Sequence, residues 1–177
     1  MNLPNKLSLL RVLCIPAIVI LTLLPGDFCR WSVVTLFALA SVTDFFDGRI
    51  ARSRNLVTDF GKFIDPLADK VLVLSCMILL VEKALLPAWA VVIVLTRELS
   101  VDGLRLIAAT KGVIIAAAKL GKWKTFIQML LILYLLIFRI NVFSHFIGII
   151  LFSLSILLTI ISGIEYFSKN RSVFKTK

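Results

Sequence analysis

Asp44, Asp47, Asp65 and Asp69 interrupt a stretch otherwise rich in apolar residues. Their spacing is that of helix faces. On a helix, Asp44 and Asp47 (i, i+3) share one face, and Asp65 and Asp69 (i, i+4) share a face of the next. Two facing helices then bring all four carboxylates together. An ionised side chain at mid-bilayer costs roughly 2.5–3.5 kcal/mol on insertion scales, so such a cluster needs counter-charge. Hard divalent cations prefer carboxylate oxygens, and Mg²⁺ uses a few carboxylates together with substrate phosphates rather than an all-protein cage. The chemistry this pattern points to is metal-assisted work on phosphate.

A second set of charges lies downstream. Arg97, Glu98, Asp102 and Arg105 interrupt one apolar run, and Lys119, Lys122 and Lys124 open the next. Glu98 and Arg105 (i, i+7) lie within about 20° of each other at roughly 100° per residue, so both can face a bundle interior. In the plainer reading Glu98 and Arg105 form a structural pair and the lysines touch anionic lipid headgroups. In the sharper one this is a phosphate site, because guanidinium groups bind phosphate oxygens bidentately and an ammonium adds a point charge. Arginines this far inside an apolar run favour the sharper reading.

The elements that must hold these groups are membrane spans. With 177 residues, 60% of them hydrophobic, and a mean hydropathy of +1.02, the chain is a single domain (1–177) too apolar for a soluble protein of its size. The expectation is an all-α integral membrane protein. Its six transmembrane helices fall at roughly 7–25, 31–52, 61–81, 86–109, 122–138 and 142–167, after a short surface segment around Asn2–Leu7. Pro16 and Pro66 should bend the first and third spans, and Pro25 with Gly26 should end the first. A net charge of +10 raises the question of nucleic acid, but the basic residues fall in the gaps between apolar runs rather than on one patch, which excludes that class.

Orientation follows from those gaps. One side carries Arg30, Lys83 and Arg139; the other carries or borders the remaining 17 of 20 lysines and arginines. Both termini and the aspartates are therefore expected on the cytoplasmic side of the cell membrane. Trp31, Trp89 and Trp123 lie near span ends, as interface anchors do. Cys14, Cys29 and Cys76 show no metal or disulfide spacing, and no small-residue cleavage site follows the first apolar run. His145 reads as an interfacial residue, and the basic tail from Ser168 to Lys177 as lying on anionic lipid.

The stretch Asp44–Asp69 also resembles a known family. Asp-x2-Asp-Gly-x2-Ala-Arg-x8-Gly-x3-Asp-x3-Asp, the signature of the CDP-alcohol phosphotransferase family, agrees at all eight specified positions. A chance match in such a chain is on the order of 10⁻⁸ at ordinary residue frequencies, so the motif is specific. The resemblance implies that family's six-helix fold, usually homodimeric, and transfer of a phosphoalcohol group from a CDP-linked donor to a hydroxyl with release of CMP. It implies that Asp44, Asp47, Asp65 and Asp69 bind two divalent cations, Mg²⁺ or Mn²⁺, with Asp69 also the general base. Asp47, Gly48, Ala51, Arg52 and Gly61 would contact the CDP moiety.

Asn2-Leu3-Pro4-Asn5, the segment Arg97–Arg105 and Gly121–Thr125 look like the branch of the family whose donor is CDP-diacylglycerol and whose acceptor is sn-glycerol 3-phosphate. The acceptor phosphate would then sit on Arg97 and Arg105 with Lys119 or Lys122. Three other acceptors keep the same fold: an inositol phosphate, phosphatidylglycerol and serine. The basic residues argue against serine. A reading of another class is a divalent-cation transporter, which needs acidic residues along several spans. The outer half offers only Asp27 and Glu82, near its surface.

Overall fold

A computed structural model describes residues 3–53, 59–112, 115 and 119–174, with side chains over 9–43, 66–112, 115, 120–171 and 173. The chain forms six α-helices: α1 (Leu3–Leu23), α2 (Asp27–Ser53), α3 (Asp59–Glu82), α4 (Ala88–Thr110), α5 (Lys119–Phe138) and α6 (Phe146–Lys169), followed by a short 3₁₀ turn, Arg171–Phe174. No strand occurs among the described residues. Each expected apolar run overlaps one helix. The stretch expected at the membrane surface is continuous with α1, whose first residue is Leu3.

Helix boundaries differ from the apolar runs where local hydrogen bonding decides. α2 starts at Asp27, ahead of its apolar run. A carboxylate in the first turn is favourable at the positive end of the helix dipole. α6 starts at Phe146 rather than near Val142, because Asn141 builds a turn first: its side-chain oxygen accepts from the Phe143 N–H (3.0 Å) and its carbonyl from the Ser144 N–H (2.9 Å). α3 ends in a Schellman motif, with Leu85 N–H donating to Leu80 O and Ala84 N–H to Val81 O, both at 2.9 Å. Pro16 and Pro66 lie inside α1 and α3 without ending either helix.

The helices gather into two compact units. The first comprises Met1–Leu85 with Ile132–Ile140; in it α1 packs on α2 and α3, and α2 packs on α3. Ile15 and Ile18 of α1, Phe37 of α2 and Leu72, Met77 and Leu80 of α3 are buried there. Ile15 and Ile18 on α1, and Val73, Met77 and Leu80 on α3, stand three or four residues apart, the spacing of one apolar face. The second unit comprises Leu86–Leu131 with Asn141–Lys177, and in it α4 packs on α6 and on the 3₁₀ turn. Val101, Leu104, Ala108, Tyr166 and Val173 form its cluster at one end. Toward the other, the Phe152 ring meets Trp89 and Phe143 edge to face, at 5.5 and 5.3 Å between centroids.

Among the described residues, two helical segments are long and apolar enough to cross a membrane by themselves, Leu120–Phe138 and Phe146–Lys169. Only 28% of either apolar window is buried. The core helix of a soluble protein would be mostly buried, so these faces are apolar surface that water would not tolerate.

Candidate active site

The aspartates belong to the first unit. α2 stays helical through Ser53 and α3 begins at Asp59, so the backbone keeps the helical register on which the pairs Asp44/Asp47 and Asp65/Asp69 depend. Asp69 is half-buried on α3, between buried Ala68 and Leu72. The side chains of Asp44, Asp47, Gly48, Ala51, Arg52, Gly61 and Asp65 lie outside the described ones. Among the described residues no group of three or more metal-binding side chains occurs. The donor set itself, four carboxylates in helical register on two consecutive helices that pack together, fits a hard divalent cation.

The same unit holds a charge that the reading of the sequence passed over. Arg11 is only 3% exposed, on the face of α1 that also carries Ile15 and Ile18. Its signal was available: a lone cation inside a run of leucines, valines and isoleucines.

The second unit contains a buried charge array. Glu98 Oε1 accepts from Arg97 Nη1 at 3.0 Å and also from Lys124 Nζ. The three side chains are 13%, 8% and 4% exposed, so all three are withdrawn from water. Two cations share one carboxylate, which leaves this trio with a net positive charge where the dielectric is low and an anion is attracted strongly. A side chain on Gly163 of α6 would begin 3.3 Å from Arg97 Cγ, and one on Gly121 of α5 would begin 3.6 Å from Arg97 Nη2. Arg97 therefore leaves α4, passes over one glycine and ends against another.

Arg105, two turns further along α4, donates from Nε to the Tyr166 hydroxyl (2.9 Å) and stacks over that ring at 5.5 Å. Glu98 thus pairs with Arg97 and Lys124, while Arg105 is held by Tyr166. Of the lysines, Lys122 is exposed, Lys124 is the buried one, and the Lys119 side chain lies outside those described. Below Lys124, one turn along α5, buried Gln128 donates to Thr159 Oγ1 at 3.3 Å, and Thr159 donates in turn to Ser155 O at 2.7 Å. Lys124, Gln128, Gly121 and Gly163 were not singled out for these roles in the sequence. Glycines and isolated polar residues in a span declare themselves only through the neighbour they face.

All-helical over its described residues, with two long helices whose apolar windows are mostly exposed, the chain has the build of a membrane protein. The sequence profile of the CDP-alcohol phosphatidyltransferase family matches residues 1–161, and the chain belongs to that family. Its relatives are more particular. It is 42% identical to the CDP-diacylglycerol--glycerol-3-phosphate 3-phosphatidyltransferase of Bacillus subtilis over 99% of this chain and 98% of that one. The protein of the same name from Rickettsia typhi is 39% identical, over 98% of this chain and 99% of the relative. A protein named probable phosphatidylglycerophosphate synthase from Mycobacterium tuberculosis is 39% identical over 95% of this chain and 81% of its own length.

Proposed function

We propose that this chain transfers the phosphatidyl group of CDP-diacylglycerol to sn-glycerol 3-phosphate, giving phosphatidylglycerophosphate and CMP, as a step of phospholipid synthesis. One observation carries the reading: the aspartate signature stands in helical register on consecutive helices of a chain matched end to end by relatives named for that reaction. In this reading all six helices cross the cell membrane, the termini and aspartates face the cytoplasm, and the enzyme is a homodimer as the family resemblance implies. The acyl chains of the donor stay in lipid while its headgroup meets the water-soluble acceptor at the cytoplasmic boundary.

Asp44, Asp47, Asp65 and Asp69 would hold two divalent cations. When bound, these neutralise the diphosphate and stabilise the departing CMP oxygen. The residues of the chain do the rest. Gly48 and Gly61 let the nucleotide approach the backbone, with Asp47 and Ala51 beside it, and Arg52 neutralises phosphate. Arg97 and Arg105 hold the acceptor's phosphate, with Lys119 or Lys122 at the rim, so the acceptor hydroxyl is oriented. Asp69 takes the hydroxyl proton as that oxygen bonds to the β-phosphorus of the donor and the bond to the CMP oxygen breaks in line. Lys124 acts on Glu98 rather than on substrate: the pair fixes the direction in which Arg97 extends.

The test is CMP release by purified protein with CDP-diacylglycerol and Mg²⁺, supplying glycerol 3-phosphate, inositol phosphate, phosphatidylglycerol and serine separately. Turnover is expected only with glycerol 3-phosphate, and is expected to stop on chelation by EDTA and in Asp69→Asn. Turnover with serine, which has no phosphate, would remove Arg97 and Arg105 from that role, and turnover with inositol phosphate or phosphatidylglycerol would overturn glycerol 3-phosphate as the acceptor. No CMP release with any of the four from folded, metal-loaded protein would overturn the enzyme and revive cation transport.

A further inference from the structure

The second unit carries a groove of about 710 Å³ between α4 and α6, which shares Arg97 with the proposed acceptor site and runs on beyond it to Arg171. That volume lies within the roughly 300–1,000 Å³ common to ligand pockets. Its depth comes from Gly163, which has no side chain to fill the space between the helices. Its walls change character along α6. Val92, Ile93, Ile160 and Ile164 line it along the helices, followed by Thr96, Arg97 and Ser100 on α4, with Ser168 in the last turn of α6 and Arg171 just past that helix. The lining contains two guanidinium groups and no carboxylate.

Arg97 is already held by Glu98, so it is not the free charge of the groove. Arg171 is exposed and makes no ion pair or side-chain hydrogen bond among the described residues. Its neighbour Lys169, by contrast, is bonded to Glu165. A free guanidinium at the end of a membrane helix, above an aliphatic trough, repeats the order of a glycerophospholipid: phosphate at the interface, acyl chain below. The lack of any carboxylate leaves nothing to receive a choline or ethanolamine cation, so charge complementarity selects an anionic lipid.

We propose that the α4/α6 groove binds one anionic phospholipid, its phosphate on Arg171 and one acyl chain against Ile160, Ile164 and Val92. This rests on the reading of α4 and α6 as membrane spans made above. The site differs from the acceptor phosphate in its anchor: Arg171 carries the lipid phosphate, whereas Arg97, which also lines the groove, ends with Nη2 3.6 Å from where a side chain on Gly121 of α5 would begin.

Native mass spectrometry of the full chain in nonionic detergent tests it, with phosphatidylglycerol and phosphatidylcholine offered at equal concentration. The wild type is expected to retain one phosphatidylglycerol per chain in preference to phosphatidylcholine. Arg171→Gln removes an exposed side chain and is expected to lower that retention about tenfold by removing a charged contact. Ile164→Trp, which narrows the groove at an exposed position, is expected to abolish it. Equal retention of the two lipids, or retention unchanged in both variants, would overturn the site. So would displacement of phosphatidylglycerol by CDP-diacylglycerol at equal concentration, which would make the groove the donor's own slot. Crosslinking of Ile164→Cys between two chains would overturn it as well, by placing a second copy there. CMP release measured on the same preparations is independent of retention, so failure of the reaction and failure of the lipid site are read separately.

Discussion

At the scale of single residues, the arrangement of Arg97 makes the sharpest demands. Gly163→Ala would place a methyl group 3.3 Å from Arg97 Cγ, close enough that the stem must give by a few tenths of an ångström. Small misplacements of a positioning group cost rate steeply, so a rise of about 3- to 10-fold in KM for glycerol 3-phosphate is expected, with KM for CDP-diacylglycerol unchanged. Gly121→Ala, at an ordinary 3.6 Å, is expected to do less. Steady-state kinetics with each substrate varied in turn checks the pair, and an equal effect of both alanines would refute the arrangement. Lys124→Met tests the other side of the array. Breaking one partner of a buried ion pair costs about 3–5 kcal/mol, and here Glu98 keeps Arg97, so a loss of about 3 kcal/mol is expected at the low end. Thermal unfolding in detergent reads it, and Lys124→Arg is expected to recover most of the loss. The sequence could not choose between Lys122 and Lys124. Two residues apart they point to different sides of a helix, and only the position of Glu98 across the interface decides which is buried.

Elements were the most legible scale. Six apolar runs separated by Pro, Gly and basic residues became six helices, since the backbone of an apolar segment satisfies its own hydrogen bonds most simply as a helix. The errors lie at ends, where a few polar contacts outweigh hydropathy, as Asn141 does in delaying α6 to Phe146. The end of α3 gives a prediction of this kind. Its Schellman stop places Ala84 at φ +56°, in the left-handed region where a Cβ costs roughly 1–2 kcal/mol. Gly fits that position without this cost, though it loses more entropy on folding. Ala84→Gly is therefore expected to stabilise the protein by up to about 1 kcal/mol without altering CMP release. A lowered melting temperature would show that the turn, not the helix stop, sets that residue. The aspartate pattern is encoded differently, in residue types and spacing along two consecutive helices, and the backbone of α2 and α3 keeps the helical register that this spacing needs. The array around Arg97 draws on α4, α5 and α6, and no spacing along one helix encodes it.

For the whole molecule, the proposed direction in the membrane rests on the charge distribution. Arg30, Lys83 and Arg139 follow or open helices at one set of ends, while Lys111 and Arg171 stand at the ends of α4 and α6 on the other. With spans alternating, the first set totals three cations and the second holds or borders the remaining 17 of 20. An excess of that size supports the orientation proposed above, because lysine and arginine near span ends are retained on the cytoplasmic side. The reaction requires the same answer from another direction, since a water-soluble phosphorylated acceptor and a nucleotide leaving group must both be reached from the cytoplasm. Single cysteines at Ser144 and Gly112, in a background with Cys14, Cys29 and Cys76 replaced, test this with a membrane-impermeant maleimide. Ser144→Cys is expected to label in right-side-out vesicles and Gly112→Cys only in inverted ones. Labelling of both positions from one side would mean that α5 does not cross, and the reverse pattern would put the aspartates on the side where neither substrate is supplied.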